Sequence, residues 1–364
     1  MTATADVSAL PADVLRCVLG QLDQPDLASC MLVSKPVRDV ALDPSLWTSM
    51  TIAHPDPSAL RFFMRSGRCE SVTLTGSPDD MAWFLSTVAA RGGGDRLRHV
   101  CLRMATVTRV PDTLMAVLAG LPALETCSVS VDACQHPSVL RVPAGLTRLR
   151  ELDVSESPTA DDVWAMRRQV AVEFGHAAHA LTALRRVTLN VASSDLVQRL
   201  HDFPALTSVT HHVDHETYHP AADLAAATPQ PRRRFEYLEL PVGEESLPDG
   251  FAAVMHGVDV DHLVVHARDE LYVSCVLPAR RVSLVMDNRA FGSDAQIVIE
   301  FPEFIESVAK GLRELRIDET ASSKPGWSVR FVGVPGLAAW LDVVGRIQLH
   351  VAPTAQLEIT PYLL

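Results

Sequence analysis

The stretch His211-His212-Val213-Asp214-His215-Glu216-Thr217-Tyr218-His219 puts four histidines and two acids into nine residues. Imidazole and carboxylate at that density are what a bound metal ion requires. The spacing argues against it. In an alternating strand His211 points inward and His212 outward, so the two cannot share an ion. His215 and His219 stand four apart, a spacing that juxtaposes side chains only on a helix, and Pro220 would end that helix at once. The segment therefore reads as a polar excursion without a metal. A His211 held in a strand core would need a hydrogen-bond partner.

Other reactive-looking residues resolve the same way. Arg91-Gly92-Gly93-Gly94-Asp95 lacks the lysine-serine/threonine sequel of a phosphate loop and reads as a flexible connector between a helix and a strand. Arg232-Arg233-Arg234, after two prolines, reads as a solvated basic loop. The seven cysteines form no CxxC pair and sit mostly among apolar neighbours, as reduced core thiols do. No nucleophile elbow, zinc-protease signature or kinase signature occurs. No catalytic residue, no metal ligand and no cofactor are expected.

A net charge of −12 argues against a general nucleic-acid binder, since phosphate contacts need a basic surface. The N-terminal MTATADVSALPADV has no basic region and carries Asp6 and Asp13, unlike a signal peptide. No apolar run reaches the roughly 20 residues a bilayer demands. The chain is expected to be intracellular, in cytoplasm or nucleus, without a membrane segment.

The elements that hold these residues follow from a repeat. The pattern apolar-x-x-apolar-x-apolar appears at Cys69-Val72-Leu74, Leu97-Val100-Leu102, Leu124-Cys127-Val129, Leu149-Leu152-Val154 and Leu184-Val187-Leu189. It is damaged at Leu206-Val209-His211 and returns at Phe235-Leu238-Leu240, Val260-Leu263-Val265, Ala279-Val282-Leu284, Leu312-Leu315-Ile317 and Val344-Ile347-Leu349. The middle residues are 19 to 35 apart, 27.5 on average, a period that implies repeated short supersecondary units. The last two apolar positions alternate as strand does, while gaps such as MAWFLSTVAARGGG, TLMAVLAGL and VWAMRRQVAVEFGHAAHAL, each preceded by acids, read as helix. A single such unit cannot bury its apolar side, but a stack can. The fold class expected is α/β, with short parallel strands and helices. This pattern resembles a leucine-rich-repeat solenoid. It departs from that family where asparagine or cysteine normally follows the strand: those positions hold Ser77, Ala105, Asp132, Ser157 and Ala192.

Residues 10 to 47 are different. Leu10-Pro11 opens a run with Val14, Leu15, Val18, Leu19 and Leu22 at helical spacing. Asp26 is placed to cap a second run through Leu27, Cys30, Met31 and Val33, and a third spans about Val37 to Leu42. Three helices in about forty residues can hardly bury a core alone. The register Leu10-Pro11, Asp13, Val14-Leu15, Val18-Leu19, Leu22, Asp26-Leu27, Val33-Ser34-Lys35, Asp43, Leu46-Trp47 resembles an F-box without insertion or deletion. Pro36 and Val37 stand where that family carries a basic residue and a tryptophan. Proline there bears on where the third helix starts, and valine fills less volume.

The resemblance implies a three-helix F-box at residues 8–50 and, over 51–364, a leucine-rich-repeat-like solenoid of about eleven irregular repeats. It implies a substrate receptor of a Skp-cullin-F-box ubiquitin ligase, docked on a Skp-type adaptor and through it on cullin and RING subunits, with no catalysis of its own. Leu10, Pro11, Val14, Leu15, Val18 and Leu27 are the expected adaptor-facing residues. Some of the same leucines, Leu15, Leu19 and Leu22 among them, can instead pack on the first repeat. Alternation places Arg103, Glu151, Asp153, Arg186, Asn190, His212, Tyr237, Glu239, His266, Arg281, Arg316 and Arg346 on the outward strand face, a mixed-charge surface suited to a protein target. The alternatives are a scaffold that does not lead to ubiquitination, or a repeat-shaped inhibitor whose helical N-terminus only caps the stack.

Overall fold

The computed structural model describes residues 10–22, 24–156, 170–191, 196–211, 233–241, 258–267, 270–273, 276–277, 279–286, 295–319 and 327–361. The chain divides into two units, Met1–Thr159 and Ala160–Leu364.

The first unit begins with helices α1 (Ala12–Leu19), α2 (Gln24–Cys30) and α3 (Lys35–Ala41), closed by a short 3-10 turn at Pro44–Leu46. Strands and helices then alternate: β1 (Ser49–Ala53), α4 (Pro57–Ser66), β2 (Ser71–Thr75), α5 (Pro78–Ala90), β3 (His99–Val107), α6 (Leu114–Leu118), β4 (Thr126–Cys134), β5 (Ser138–Arg141) and β6 (Glu151–Glu156). The strands β1-β2-β3-β4-β6 lie side by side in that order, all parallel. Their register aligns the repeat: Val72 opposite Val100, Val100 opposite Cys127, Cys127 opposite Leu152. All four are at most 2% exposed. A rung the repeat pattern did not include precedes them. Met50 and Ile52 pair with Val72 and Leu74, so Trp47-x-x-Met50-x-Ile52 is the first copy.

Local chemistry sets the helices. Asp56 accepts from the amides of Ser58 and Ala59, and Pro57 occupies the first helical position of α4. Ser77 and Pro78 begin α5 in the same way. The glycines after α5 are no flexible connector. Gly92 takes a left-handed φ of 76°, its amide donates to Ala89 and that of Gly93 to Val88, a Schellman stop. Gly93 and Gly94 are buried, and a Cβ on Gly94 would lie 3.0 Å from the Gly120 carbonyl oxygen. Close packing there favours glycine.

The second unit contains β7 (Val170–Glu173), β8 (Arg186–Asn190), β9 (Ser208–His211), β10 (Arg233–Pro241), β11 (Val258–Ala267), β12 (Glu270–Val273), β13 (Ala279–Met286) and β14 (Gln296–Glu300). It continues with α7 (Phe301–Lys310), β15 (Glu314–Glu319), β16 (Ser328–Val334), α8 (Leu337–Val344), β17 (Gln348–Val351) and β18 (Gln356–Pro361). One parallel ladder runs β8-β9-β10-β11-β13-β15-β17, and a second, unforeseen in sequence, runs β12-β14-β16-β18. From β11 onward each coil of the chain thus supplies two strands. Phe301, Phe304, Phe331 and Trp340 fill the space between α7, β16 and α8, with ring centroids 4.7 to 6.1 Å apart.

Three further expectations change. The run expected as helix from Val163 onward contains strand β7, because Val170, Val172 and Phe174 alternate toward the core at 0 to 2% exposure, followed by a 3-10 segment at Gly175–Ala180. Asp26 lies inside the first turn of α2 and does not cap it, since the helix starts at Gln24. The last repeat copy is displaced by two residues: Leu349 and Val351, not Ile347 and Leu349, sit opposite Leu315 and Ile317, because α8 extends through Val344 and uses up the preceding residues. The parallel-strand, solenoid-like arrangement expected from the repeat otherwise holds in each unit.

Candidate functional site

The helical cluster is held from inside by Leu15, Leu19, Leu27, Val37, Ala41 and Trp47, all at most 3% exposed. Trp47 donates its indole N–H to the Ala41 carbonyl at 2.6 Å and meets Phe62 of α4 edge-on at 4.9 Å. Pro36 does not displace α3. It occupies one of the first two positions of a helix whose N-cap is Ser34, where a missing amide costs nothing. Val37 is a core residue.

Polar contacts fix the cluster's ends. Arg16 donates from Nε to Asp43 at 2.7 Å and from a terminal nitrogen to Asp13 at 2.8 Å. Asp43 also accepts from the Ser45 hydroxyl at 2.7 Å and the Ser45 amide at 2.9 Å. These Ser45 bonds, and then Arg16, hold its carboxyl down to about 2. Gln24 reaches β1: its amide NH2 donates to the Thr51 carbonyl at 2.9 Å, and its side-chain oxygen accepts from the Thr51 amide. It pairs the outer edge of the ladder much as another strand would.

The opposite side of the cluster is apolar and bare. Leu10 is 40% exposed, Val14 46%, Val18 48% and Leu22 36%. Val14 and Val18, four residues apart, lie on one face of α1, with Leu10 just before the helix and Leu22 in the turn after it. Leu32 and Val33, in the turn after α2, are more open still. Of the six expected adaptor-facing residues, Leu10, Pro11, Val14 and Val18 are exposed, while Leu15 and Leu27 are consumed by the chain's own core. Leu22 shares this exposure, and the sequence carried the signal for it: the spacing 10, 14, 18, 22 is distinct from 15 and 19.

The strand-face residues divide between the units. In the first, Arg103 and Glu151 are exposed, and Asp153 is half-buried, accepting from the Ser128 hydroxyl at 3.3 Å. Burial raises its carboxyl above the usual value. In the second, Arg186, Arg281 and Arg316 are exposed and Asn190 is half-buried. Tyr237, Glu239 and His266 come together: the tyrosine hydroxyl donates to one Glu239 oxygen and His266 Nε2 meets the other, both at 2.6 Å. Glu239 is 7% exposed, so it braces this surface and is not open to a ligand. Burial and then Glu239 push the Tyr237 hydroxyl well above its ordinary pKa. His262 meets Tyr237 edge-on at 5.4 Å and Ser283 at 3.0 Å; burial, with Arg281 adding to it, lowers its pKa. Arg316 pairs with Asp318 at 3.1 Å.

Arg346 is not on the strand face. The two-residue displacement puts Gln348 opposite Glu314 and leaves Arg346 in the turn after α8, paired with Asp342. His211 is fully buried in the ladder beside Leu189, inward as the alternation requires. His212 and the rest of the histidine-rich stretch lie outside the described residues, as do Arg232 and Cys275. The other six cysteines are free thiols, and burial lifts Cys69 to about 11 and Cys127 to about 12, far from thiolate reactivity. Among the described residues no helix is long and apolar enough to cross a membrane.

A family profile described as F-box-like matches residues 7–53, which span the three helices, the 3-10 turn and β1. The chain carries an F-box-like domain at its N-terminal end. Comparison with curated proteins returned no match.

Proposed function

We propose that the protein is the substrate receptor of a Skp-cullin-F-box ubiquitin ligase. The F-box, over residues 8–50, docks a Skp-type adaptor that brings cullin and RING subunits. The leucine-rich-repeat-like remainder, 51–364, holds a protein target. The receptor acts inside the cell, needs no cofactor and performs no bond chemistry; it raises the target's effective concentration beside the transfer machinery.

The observation that carries this reading is the bare apolar set Leu10, Val14, Val18 and Leu22 on α1 and the residues flanking it, a helix whose other side is packed. Apolar side chains left together at 36 to 48% exposure cost solubility and mark an interaction surface. Pro11 stands at the head of the row, whereas Leu15 and Leu27 support it from beneath. Arg103, Glu151 and Asp153 in the first unit, and Arg186, Asn190, Tyr237, His266, Arg281 and Arg316 in the second, are the proposed target contacts.

The test is a pull-down of the full chain by a Skp-type adaptor, beside Val14→Asp/Val18→Asp. Both positions face solvent, so the double variant should melt within about 2 °C of the parent, since surface changes usually stay within ~0.5 kcal/mol. Its adaptor binding should be lost. Retained binding in the variant, or none by the parent, sinks the reading.

One observation favours a second role for the same helices. Gln24 on the edge of β1, and Trp47 against Phe62, make the cluster a cap on the first rung. Docking and capping use different faces and are compatible.

A further inference from the structure

The positions in register with the residues just before β2, β3, β4 and β6 form a rung of their own. In the first unit it reads Glu70, Arg98, Glu125, Arg150. Amides of Arg98, Glu125 and Arg150 donate to the carbonyls of Glu70, Arg98 and Glu125 at 2.8, 2.8 and 2.7 Å. Neighbouring strands lie about 4.8 Å apart, so charges on this rung act on one another directly. The signs alternate. Arg98 lies 3.7 Å from Glu70 and 3.4 Å from Glu125, and Arg150 is 3.1 Å from Glu125, which Arg148 also approaches at 3.6 Å.

In the second unit the same rung runs Arg185, Thr207, Glu236, Asp261 and then Arg280, Arg313, Ile347, with Arg346 one residue before the last. The Arg313 amide donates to the Arg280 carbonyl at 2.8 Å, and the Gln348 amide to that of Arg313 at 2.9 Å. Here alternation fails: Arg313 stands where a carboxylate would separate two arginines. Arg281, on the adjacent strand position, adds a fourth guanidinium. Arg280, Arg281, Arg313, Glu314, Arg346 and Gln348 line an open cleft of about 540 Å³. Four arginines face one carboxylate.

Their other bonds leave capacity unused. Arg280 is 3.9 Å from Asp261, whose two oxygens already accept from Arg234 at 3.0 and 2.9 Å. One Arg313 nitrogen donates to the carbonyls of Val308 and Leu312, closing α7. Arg346 holds Asp342. Among the described residues Arg281 makes no hydrogen bond to a carboxylate.

We propose that this cleft binds a doubly charged oxyanion of the phosphate class, placed in the second unit where the first has the Glu125 carboxylate. Guanidinium forks match phosphate oxygens bidentately, and the Gln348 side-chain NH2 adds a neutral donor. Glu314, and Asp342 paired with Arg346, bring the cleft to a net charge of about two, which suits one dianion. An extended polyanion would also meet the field of a chain carrying −12. The site is argued from the rung alone and stands whether or not this unit holds a protein target.

The experiment is calorimetric titration of the full chain at pH 7.5 and fixed chloride ionic strength. Its arms are inorganic phosphate, a phosphoserine peptide and the same peptide unphosphorylated. Saturable binding with Kd of about 1 mM or tighter is expected for the phosphate-bearing probes. A peptide at least tenfold tighter than inorganic phosphate would assign the group to a partner protein; equal affinity would assign it to a free phosphate ligand. Arg281→Gln should weaken binding at least tenfold, and Arg313→Gln likewise. Arg98→Gln, on the alternating rung, should leave binding within twofold. Arg313 also closes α7, so Arg281→Gln alone decides if the Arg313 variant fails to fold. Absence of saturable binding by both phosphate-bearing probes, an equally tight unphosphorylated peptide, or equal loss in Arg98→Gln would overturn the proposal.

Discussion

Asp43 ties the end of the helical cluster to its beginning. It accepts both bonds that Ser45 offers and the Nε–H of Arg16, and those bonds favour its ionised form. Its folded pKa, about 2, lies below the ordinary 3.8. The contribution to stability is therefore complete above about pH 4, where the unfolded carboxyl is ionised too, and is lost as pH falls through about 2. Asp43→Asn should cost on the order of 1 kcal/mol at pH 7, the loss of charge-assisted bonds at a partly exposed site. The gap between parent and variant should close between about pH 4 and pH 2. Urea unfolding followed by tryptophan fluorescence, repeated at three pH values, reads it. A gap that stays constant across that range would mean the carboxylate charge does not matter. By contrast Leu15 acts through volume alone, without dependence on pH.

At the scale of elements, Gln24 is a side chain doing what a strand does. β1 ends the first unit's ladder, and its outer edge would otherwise present the Thr51 amide and carbonyl to water or to another chain. Gln24→Ala should speed hydrogen exchange at the Thr51 amide at least tenfold while Ile52, paired inward with Leu74, keeps its protection. Equal protection at Thr51 in both proteins would show that the pairing contributes nothing. Sequence could announce the helix and the strand but not this link, because a bond between residues 27 apart has no local signal. The same limit explains the other differences. The repeat was legible because each rung buries the same two positions, and period-two alternation survives in Val72-Leu74 or Leu315-Ile317. The second ladder was not, because its strands follow the first at unequal distances and reuse the same apolar vocabulary. The displaced last rung was hidden by Val344 and Ile347, which fit the strand pattern yet fall at the end of α8 and in the turn after it. In the F-box, apolar type could not tell Val14 from Leu15. Only packing separates the bare row from the core row.

At the scale of the whole molecule, the cluster's two faces make separable demands. Its packed face shields Trp47, which loses its Ala41 partner and much of its cover if the helices are removed. Exposing a large side chain costs about 1.5–3 kcal/mol, and losing the Gln24 pairing adds on the order of 1 kcal/mol. Deleting residues 1–46 should therefore lower the first unit's melting temperature by roughly 5–10 °C and leave an open edge prone to self-association. The bare row predicts the reverse pattern: Val14→Asp/Val18→Asp removes adaptor binding and leaves melting unchanged. Differential scanning calorimetry with light scattering, run on parent, deletion and double variant, measures both. If the deletion melts as the parent does and stays monomeric, the cap role is wrong and the helices exist for docking alone. If the double variant melts early, the row is structural and docking must use another surface. Loss of stability in one and of binding in the other fits a small helical domain that is folded by the first rung it covers and kept apolar for the partner it awaits.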